Sequence, residues 1–122
     1  MILEECHLNI MTVKGIEVQY KRIHENDFIS LTDIAKFRNA DYPSEIIQNW
    51  MRNRSTVEFL GLWEQLYNPN FNYLEFEVID KEAGRNAFVL TPKRWIESVN
   101  AIGMTTKQGR YAETFAHKCN FN

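Results

Sequence analysis

Residues 30–54 read SLTDIAKFRNADYPSEIIQNWMRNR, and this stretch decides the fold. Ser30 or Thr32 can cap a short first helix, which ends at Asn39. Pro43 suits the first position of a second helix, in which apolar residues recur at helical spacing. The stretch therefore predicts two short helices separated by a turn.

This pair of helices partly matches a helix-turn-helix. That motif needs a small residue on the first helix, here Ala35, and a turn residue that tolerates a positive φ, here Asn39. The apolar positions of the second helix come one or two residues late. Two ordinary packed helices of an α-rich domain remain the alternative interpretation.

Strand patterning precedes this stretch. Residues 8–22 alternate apolar and polar side chains around the two-residue turn Lys14-Gly15. A second turn at residues 24–27 leads into Phe28-Ile29. We expect a small antiparallel β meander at the start of the chain.

A third helix is predicted to follow, capped by Ser55. Its apolar face would carry Val57, Phe59, Leu60, Trp63 and Leu66. Residues 71–79 fit either a strand or a helix, and the pairing of Asn72 with Glu75 favours a helix because it resembles a capping box. Ala83-Gly84 would end that helix.

The last third of the chain mixes both patterns. Phe88-Val89-Leu90 predicts a short strand, and Thr91-Pro92 suits the start of a helix that Gly103 would terminate. Residues 107–110 predict a basic turn, and residues 111–118 can return as a strand. The predicted fold class is α+β, a small antiparallel β meander with a helical core of helix-turn-helix or winged-helix type.

The composition is that of an ordinary globular domain, with 44% apolar, 13% aromatic and 25% charged residues in 122 positions. This length fits one domain spanning residues 1–122. No apolar run approaches the ~20 residues of a membrane span. Glu4 and Glu5 stand where a signal peptide would be positive, so we expect a cytoplasmic protein.

The two cysteines, Cys6 and Cys119, form no CxxC pair, so neither a zinc ribbon nor a redox motif is indicated. A disulfide between them is disfavoured in a chain without export signals. We interpret both as free thiols.

The net charge of −2 conceals an asymmetry. From Arg85 onward six lysines and arginines face only Glu97 and Glu113, which gives +4 and leaves −6 for the remainder. Screening limits exposed charges to a range of about 8 to 10 Å, so the local sign decides what binds. An acidic domain with one basic face can hold DNA.

Arg52, Asn53 and Arg54 end the second predicted helix. These side chains can pair with phosphates or with guanine and adenine edges. Cations at a helix C-terminus are also favoured by the helix dipole, so a purely structural role is the alternative.

Lys93 and Arg94 fall in the first turn of their helix, where the dipole disfavours cations. Such a placement suits an incoming phosphate, because basic side chains then stand beside free N–H groups. Two solvated side chains of no function are the alternative interpretation.

The segment Lys107-Gln108-Gly109-Arg110-Tyr111 is similar to a wing. Its glycine allows close backbone approach, donors flank it, and the tyrosine can stack or pack. Lys107 and Arg110 belong to the basic residues of the C-terminal third.

Catalytic patterns are weak. His7, His24 and His117 are far apart, and neither a Gly-rich phosphate loop nor a GxSxG elbow occurs. Trp50, Trp63 and Trp95 occupy apolar helix positions and are expected in the core. We expect no enzyme, no cofactor and no small-molecule substrate.

The order of these segments resembles the KilA-N domain, a DNA-binding module of phages, prophages, bacteria and large DNA viruses. The matching stretches are residues 28–35, 47–54, 56–64, 68–72, 83–84, 88–96, 100–103, 109–111 and 114–118. They cover nearly the whole chain from Phe28 onward. Ala112-Glu113 replaces the family's glycine pair, and the chain stops at Asn122 without the usual further helix, as an isolated module or a shortened one.

The resemblance implies a winged-helix-like core related to the APSES DNA-binding domains, with residues 107–118 as the wing. His117 and Lys118 thereby join the candidate DNA contacts. It also implies a phage- or prophage-type, antirepressor-like regulator that binds double-stranded DNA. The alternative function is a protein-interaction module that engages a repressor or another regulator through the acidic N-terminal two-thirds.

Overall fold

The computed structural model describes residues 8–13, 16–108 and 112–121. The strands are β1 (Leu8–Val13), β2 (Ile16–Ile23), β3 (Asn26–Ser30), β4 (Met104–Lys107) and β5 (Glu113–His117). The helices are α1 (Leu31–Arg38), α2 (Pro43–Met51), α3 (Arg54–Tyr67), α4 (Tyr73–Glu82) and α5 (Pro92–Val99), followed by a 3₁₀ turn at Lys118–Phe121. The class is α+β, as predicted.

One antiparallel sheet has the order β1-β2-β3-β5-β4. Its first three strands are the predicted meander, and His24 and Glu25 make the second turn with φ values of 50° and 67°. The first predicted turn, Lys14-Gly15, lies outside the described residues. Strand β5 pairs with β3, which brings the hairpin of β4 and β5 against the meander.

Helix α1 begins and ends where the sequence predicts. The Ser30 hydroxyl accepts a hydrogen bond from the Asp33 N–H at 3.0 Å, and the Asn39 N–H donates to the Ala35 carbonyl. The tolerance of Asn39 for a positive φ is not used in this turn, because its φ is −156°. Asn39 continues in extended backbone, and its side-chain oxygen accepts from the Asp41 N–H at 3.0 Å.

Helix α2 has Pro43 at its first position, as predicted, but α3 begins at Arg54, two residues earlier than a cap at Ser55 implies. Asn53, not Ser55, is the residue before α3, so the predicted Ser55 cap is wrong. The predicted apolar face of α3 is only partly buried, since Phe59 and Leu66 remain 37% and 65% exposed.

The ambiguous segment after residue 71 is a helix, as favoured. The Asn72 side chain accepts from the Glu75 N–H at 3.2 Å, which caps α4. Ala83 ends α4, and Gly84 follows with a φ of 86°. The predicted stop at Ala83-Gly84 is confirmed.

The predicted strand Phe88-Val89-Leu90 is wrong. Phe88 and Leu90 are buried, but the segment pairs with no other strand among the described residues. The Phe88 N–H turns back to the Arg85 carbonyl, and the Val89 carbonyl accepts from Arg94 Nη1 at 2.8 Å. The sequence prediction also missed strand β4.

Helix α5 starts at Thr91-Pro92 as predicted but ends at Asn100 rather than at Gly103. Asn100 takes the left-handed conformation, with φ 60° and ψ 46°. Gly103 is needed for close packing instead, because a Cβ there would lie 2.8 Å from the ring of Trp63.

A buried carboxylate fixes the connection between α5 and β4. Glu64 of α3 is 2% exposed, and it accepts hydrogen bonds from Asn68 Nδ2 at 2.8 Å and the Gly103 N–H at 2.8 Å. The Ile102 N–H donates to both of its oxygens, at 3.0 and 3.2 Å. Glu64 thus holds the start of β4 against α3.

The core lies between the helices and the sheet. Trp95 is fully buried and its ring lies near those of Phe71 and Phe76. Trp63 is 9% exposed, and Trp50 is half-buried against the same core. The prediction that the tryptophans are core residues is confirmed for Trp63 and Trp95, whereas Trp50 lies at the edge of the core. No helix of the described chain is long and apolar enough to cross a membrane.

Candidate nucleic-acid interface

A groove of about 480 Å³ lies between α1, the first turns of α2 and α5, and the end of the β4–β5 hairpin at which Lys107 pairs with Glu113. Its rim carries Lys36 of α1, Lys93 of α5 and Lys107 of β4, all three exposed. Gln108 continues the rim beyond β4. We name this feature the lysine groove.

Two helix starts open into the lysine groove, and each adds positive potential. The Tyr42 side chain does not cap α2, and Pro43 has no N–H. In α5 the Thr91 hydroxyl accepts a hydrogen bond from the Arg94 N–H at 3.1 Å. The Lys93 N–H lies one residue earlier in the same first turn. Backbone N–H groups at such helix starts can donate to phosphate oxygens.

Threonine contacts hold the floor of the lysine groove. The Thr32 hydroxyl accepts from the Thr114 N–H at 2.9 Å, which ties α1 to β5. Thr106 and Thr114 share a hydroxyl contact of 3.0 Å across the hairpin. Both walls of the groove are thereby fixed relative to each other.

Two carboxylates also line the groove, those of Asp41 and Glu113. Glu113 is directly opposite Lys107 in the β4–β5 register. Its charge therefore reduces the field of Lys107 at the place where a phosphate would approach.

The predicted cluster at the end of α2 is mostly engaged within the protein. Arg52 Nη2 donates to the Asn86 carbonyl at 2.9 Å, and Asn53 Nδ2 donates to the carbonyls of Asn49 and Trp50. Arg52 also lines a smaller cleft with Arg85. Asn53 therefore helps to end α2.

Arg54 is held by two carboxylates, that of Glu58 at 3.2 Å and that of Asp80 at 3.7 Å. Burial, reinforced by the nearby Glu58 and opposed by Arg54, raises the pKa of Asp80 above its usual value. A phosphate approaching Arg54 would meet both acids, so Arg54 is a weaker candidate than Arg52.

Lys93 and Arg94 are adjacent in sequence, but their side chains have different surroundings. Arg94 donates to the Val89 carbonyl, lies 5.9 Å from the ring of Phe88 and is 3.9 Å from Glu82. Lys93 is exposed on the lysine groove. Arg94 thus anchors the segment before α5, and Lys93 stays available to a ligand.

His117 is a core residue and only 5% exposed. Its Nδ1 accepts from the Cys119 N–H and its Nε2 lies 3.1 Å from Asn26 Oδ1, while the tilted ring of Trp63 lies 4.7 Å away between ring centroids. Burial, with Lys118 nearby, lowers the pKa of His117 below its usual value. A neutral, enclosed imidazole does not reach a ligand on the surface.

Lys118 lies beyond the end of β5 that is remote from Lys107, and its Nζ is 3.8 Å from Asp27. The remaining predicted contacts, Gly109, Arg110 and Tyr111, lie outside the described residues. The basic residues expected to share one patch are therefore divided among the lysine groove, the end of α2 and the far end of β5.

Sequence reasoning missed Lys36 and the polar side of α2. Ser44, Gln48 and Asn49 lie on that helix between the lysine groove and the Arg52 cleft, and Gln48 lines the former while Asn49 lines the latter. The four-residue spacing from Ser44 to Gln48 and the three-residue spacing from Asn49 to Arg52, in an amphipathic helix, were the available signal.

The family model of the KilA-N domain matches residues 11–120. The chain belongs to the KilA-N family. KilA-N domains are DNA-binding modules and not a family of enzymes, which supports DNA binding as the general function. No curated protein and no solved structure matches this KilA-N chain significantly. Within the described residues, no three His, Cys, Asp or Glu side chains gather as metal ligands.

Proposed function

We propose that this KilA-N chain, residues 1–122, is a single non-catalytic domain that binds double-stranded DNA through the lysine groove and α2. The observation that carries the proposal is the meeting of three exposed lysines with two helix starts in one groove. Phosphate is the ligand such a set of donors recognises.

Helix α2 would lie in the major groove. Its nine residues span about 13 Å, close to the ~12 Å width of that groove. The lysine groove at its start would then face one phosphate strand, and Arg52 at its end would face the other. The β4–β5 hairpin would contact the backbone as the wing does in winged-helix proteins.

The regulatory setting we propose is the one that the family resemblance implies, a phage- or prophage-type protein with an antirepressor-like role in the cytoplasm. DNA binding alone does not require that setting. The experiments on the interface therefore test DNA binding and not this regulatory role.

Salt dependence tests the interface. With about four neutralised phosphates, log K should fall by about 3.6 per unit of log salt, or roughly 100-fold between 50 and 200 mM. Lys93→Ala should reduce that slope by about 0.9 because it removes one phosphate contact. Fluorescence anisotropy with a labelled mixed duplex measures both quantities.

Arg94→Ala is the matched control for this titration. It removes a neighbouring cation that binds within the protein, so thermal stability should fall while the salt slope stays near that of the wild type. The proposal would be contradicted if wild type and Lys93→Ala had equal slopes of log K against log salt, or if no binding were seen at 50 mM salt.

Gln48 and Asn49 are the proposed base readers, since their amides can make bidentate contacts to adenine. Gln48→Ala should lower the preference for a selected site by about 5- to 100-fold, the value of one such contact, and leave binding to random duplex nearly unchanged. Competition between a site enriched from a randomised pool and random DNA measures the ratio. The exposed Gln65→Ala is the control, and an unchanged ratio for Gln48→Ala would exclude that residue as a reader.

A further inference from the structure

A second groove, of about 420 Å³, is lined by residues of α1, α2 and the start of α3. Its walls are apolar and are formed mainly by Ile34, Ile46, Trp50 and Phe59. Lys36 faces the lysine groove, whereas Ile34 and Arg38 face this one. We call it the apolar groove, and a ligand there would leave the lysine groove open.

The apolar groove continues along α3 as a strip of exposed apolar side chains. Phe59, Leu62 and Leu66 follow each other at intervals of three and four residues, and Leu62 is 52% exposed. That spacing places them on one side of the helix over about 10 Å. A strip of this form fits a partner helix, which presents apolar side chains at the same intervals.

The electrostatics of the apolar groove favour a negative partner. Among the described residues that line it, Arg38 alone is charged, and Arg38 forms no ion pair within the described chain. The start of α3 opens into the same groove through Ser55 and Thr56.

No side chain caps that helix start. Asn53, which precedes α3, turns its amide back to the carbonyls of Asn49 and Trp50 and gives α3 no side-chain cap. The first N–H groups of α3 therefore add positive potential to that of Arg38. A carboxylate is the group that both would bind.

We propose that the apolar groove docks an acidic amphipathic helix of a partner protein. Its apolar side would lie on Ile34, Trp50 and Phe59, and a carboxylate beside them would pair with Arg38 and the start of α3. The proposal does not rest on DNA binding, and the peptide experiments below are made without DNA.

The test uses two synthetic peptides of about 15 residues. Both carry Leu and Phe at helical intervals, and one has Glu and Asp at the positions where the other has Gln and Asn. Trp50 reports binding by fluorescence, because Trp63 and Trp95 are buried. Amide shifts of the full chain locate the site.

The acidic peptide should shift residues of the apolar groove and bind at least about tenfold more tightly than its neutral analogue, the value of one charge-assisted contact. Arg38→Glu should weaken it at least tenfold. Lys81→Glu, an equal change of charge on the exposed side of α4, should stay within about twofold.

Three results of the peptide experiments would overturn the proposal. They are no response of Trp50 to the acidic peptide, equal affinity for both peptides, and equal loss in Arg38→Glu and Lys81→Glu. Shifts of the same residues with protein concentration alone, without peptide, would show that a second copy of the chain covers the groove and would equally overturn it.

Discussion

Glu64→Ala should destabilise the protein by about 2 to 6 kcal/mol, because it leaves two buried donors, the Gly103 N–H and Asn68 Nδ2, without their shared acceptor, whereas the N–H of the half-exposed Ile102 can turn to water. Each unsatisfied buried donor costs about 1 to 3 kcal/mol. Domains of this size have a free energy of unfolding of about 5 to 15 kcal/mol, so the expected loss is a large part of the total. Urea denaturation followed by circular dichroism measures the loss.

The neighbouring Gln65→Ala is the control for this experiment, since Gln65 is exposed on the same helix and its loss should change stability by no more than about 0.5 kcal/mol. Glu64→Gln keeps one good acceptor and should fall between the two. A loss of less than about 1 kcal/mol in Glu64→Ala would show that water replaces the carboxylate.

Replacing Lys36, Lys93 and Lys107 together by alanine should lower affinity for duplex DNA by about 100- to 1000-fold at 50 mM salt. The salt slope should fall by about 2.7, which is three phosphate contacts at about 0.9 each. Stability should change little, because all three side chains are exposed. Anisotropy titrations at several salt concentrations give both values.

Glu113→Gln provides the opposite change in the same groove. It removes the carboxylate opposite Lys107 and should raise affinity several-fold. Lys118→Ala is the control, because Lys118 lies at the far end of β5. If Lys118→Ala cost as much as the triple lysine variant, the DNA would bind at that end of the hairpin instead.

Local chemistry explains which parts of the fold could be predicted from sequence. Ser30, Pro43 and Asn72 act through hydrogen bonds or φ restrictions within a few residues, and each marks a helix start where expected. Asn53 and Ser55 can both precede a helix, so sequence could not choose between them.

The errors arise where distant partners decide the structure. Phe88-Val89-Leu90 has strand composition but finds no neighbouring strand among the described residues, whereas the polar β4 pairs with β5. Apolar periodicity alone cannot tell which segments will meet. The need for glycine at position 103 likewise depends on a distant partner, because the ring of Trp63, forty positions away in sequence, leaves no room for a Cβ there.

The sequence predicts only the part of the candidate site that depends on local structure. Lys93 and Lys107 stand beside a helix start and a hairpin, which sequence can predict. Lys36 and Gln48 join them only through the packing of α1 against α2 and β5. The burial of His117 between Trp63 and Phe28 also depends on tertiary contacts.

The pairing of β3 with β5 places a constraint on the order of events during synthesis. Phe28 pairs with His117, so the middle of the sheet joins segments from nearly opposite ends of the chain. While the ribosome is still translating the helices, β3 has an open edge that could pair with another nascent polypeptide. Such non-local topology is associated with slow folding, because a large loop must close before its contacts are gained.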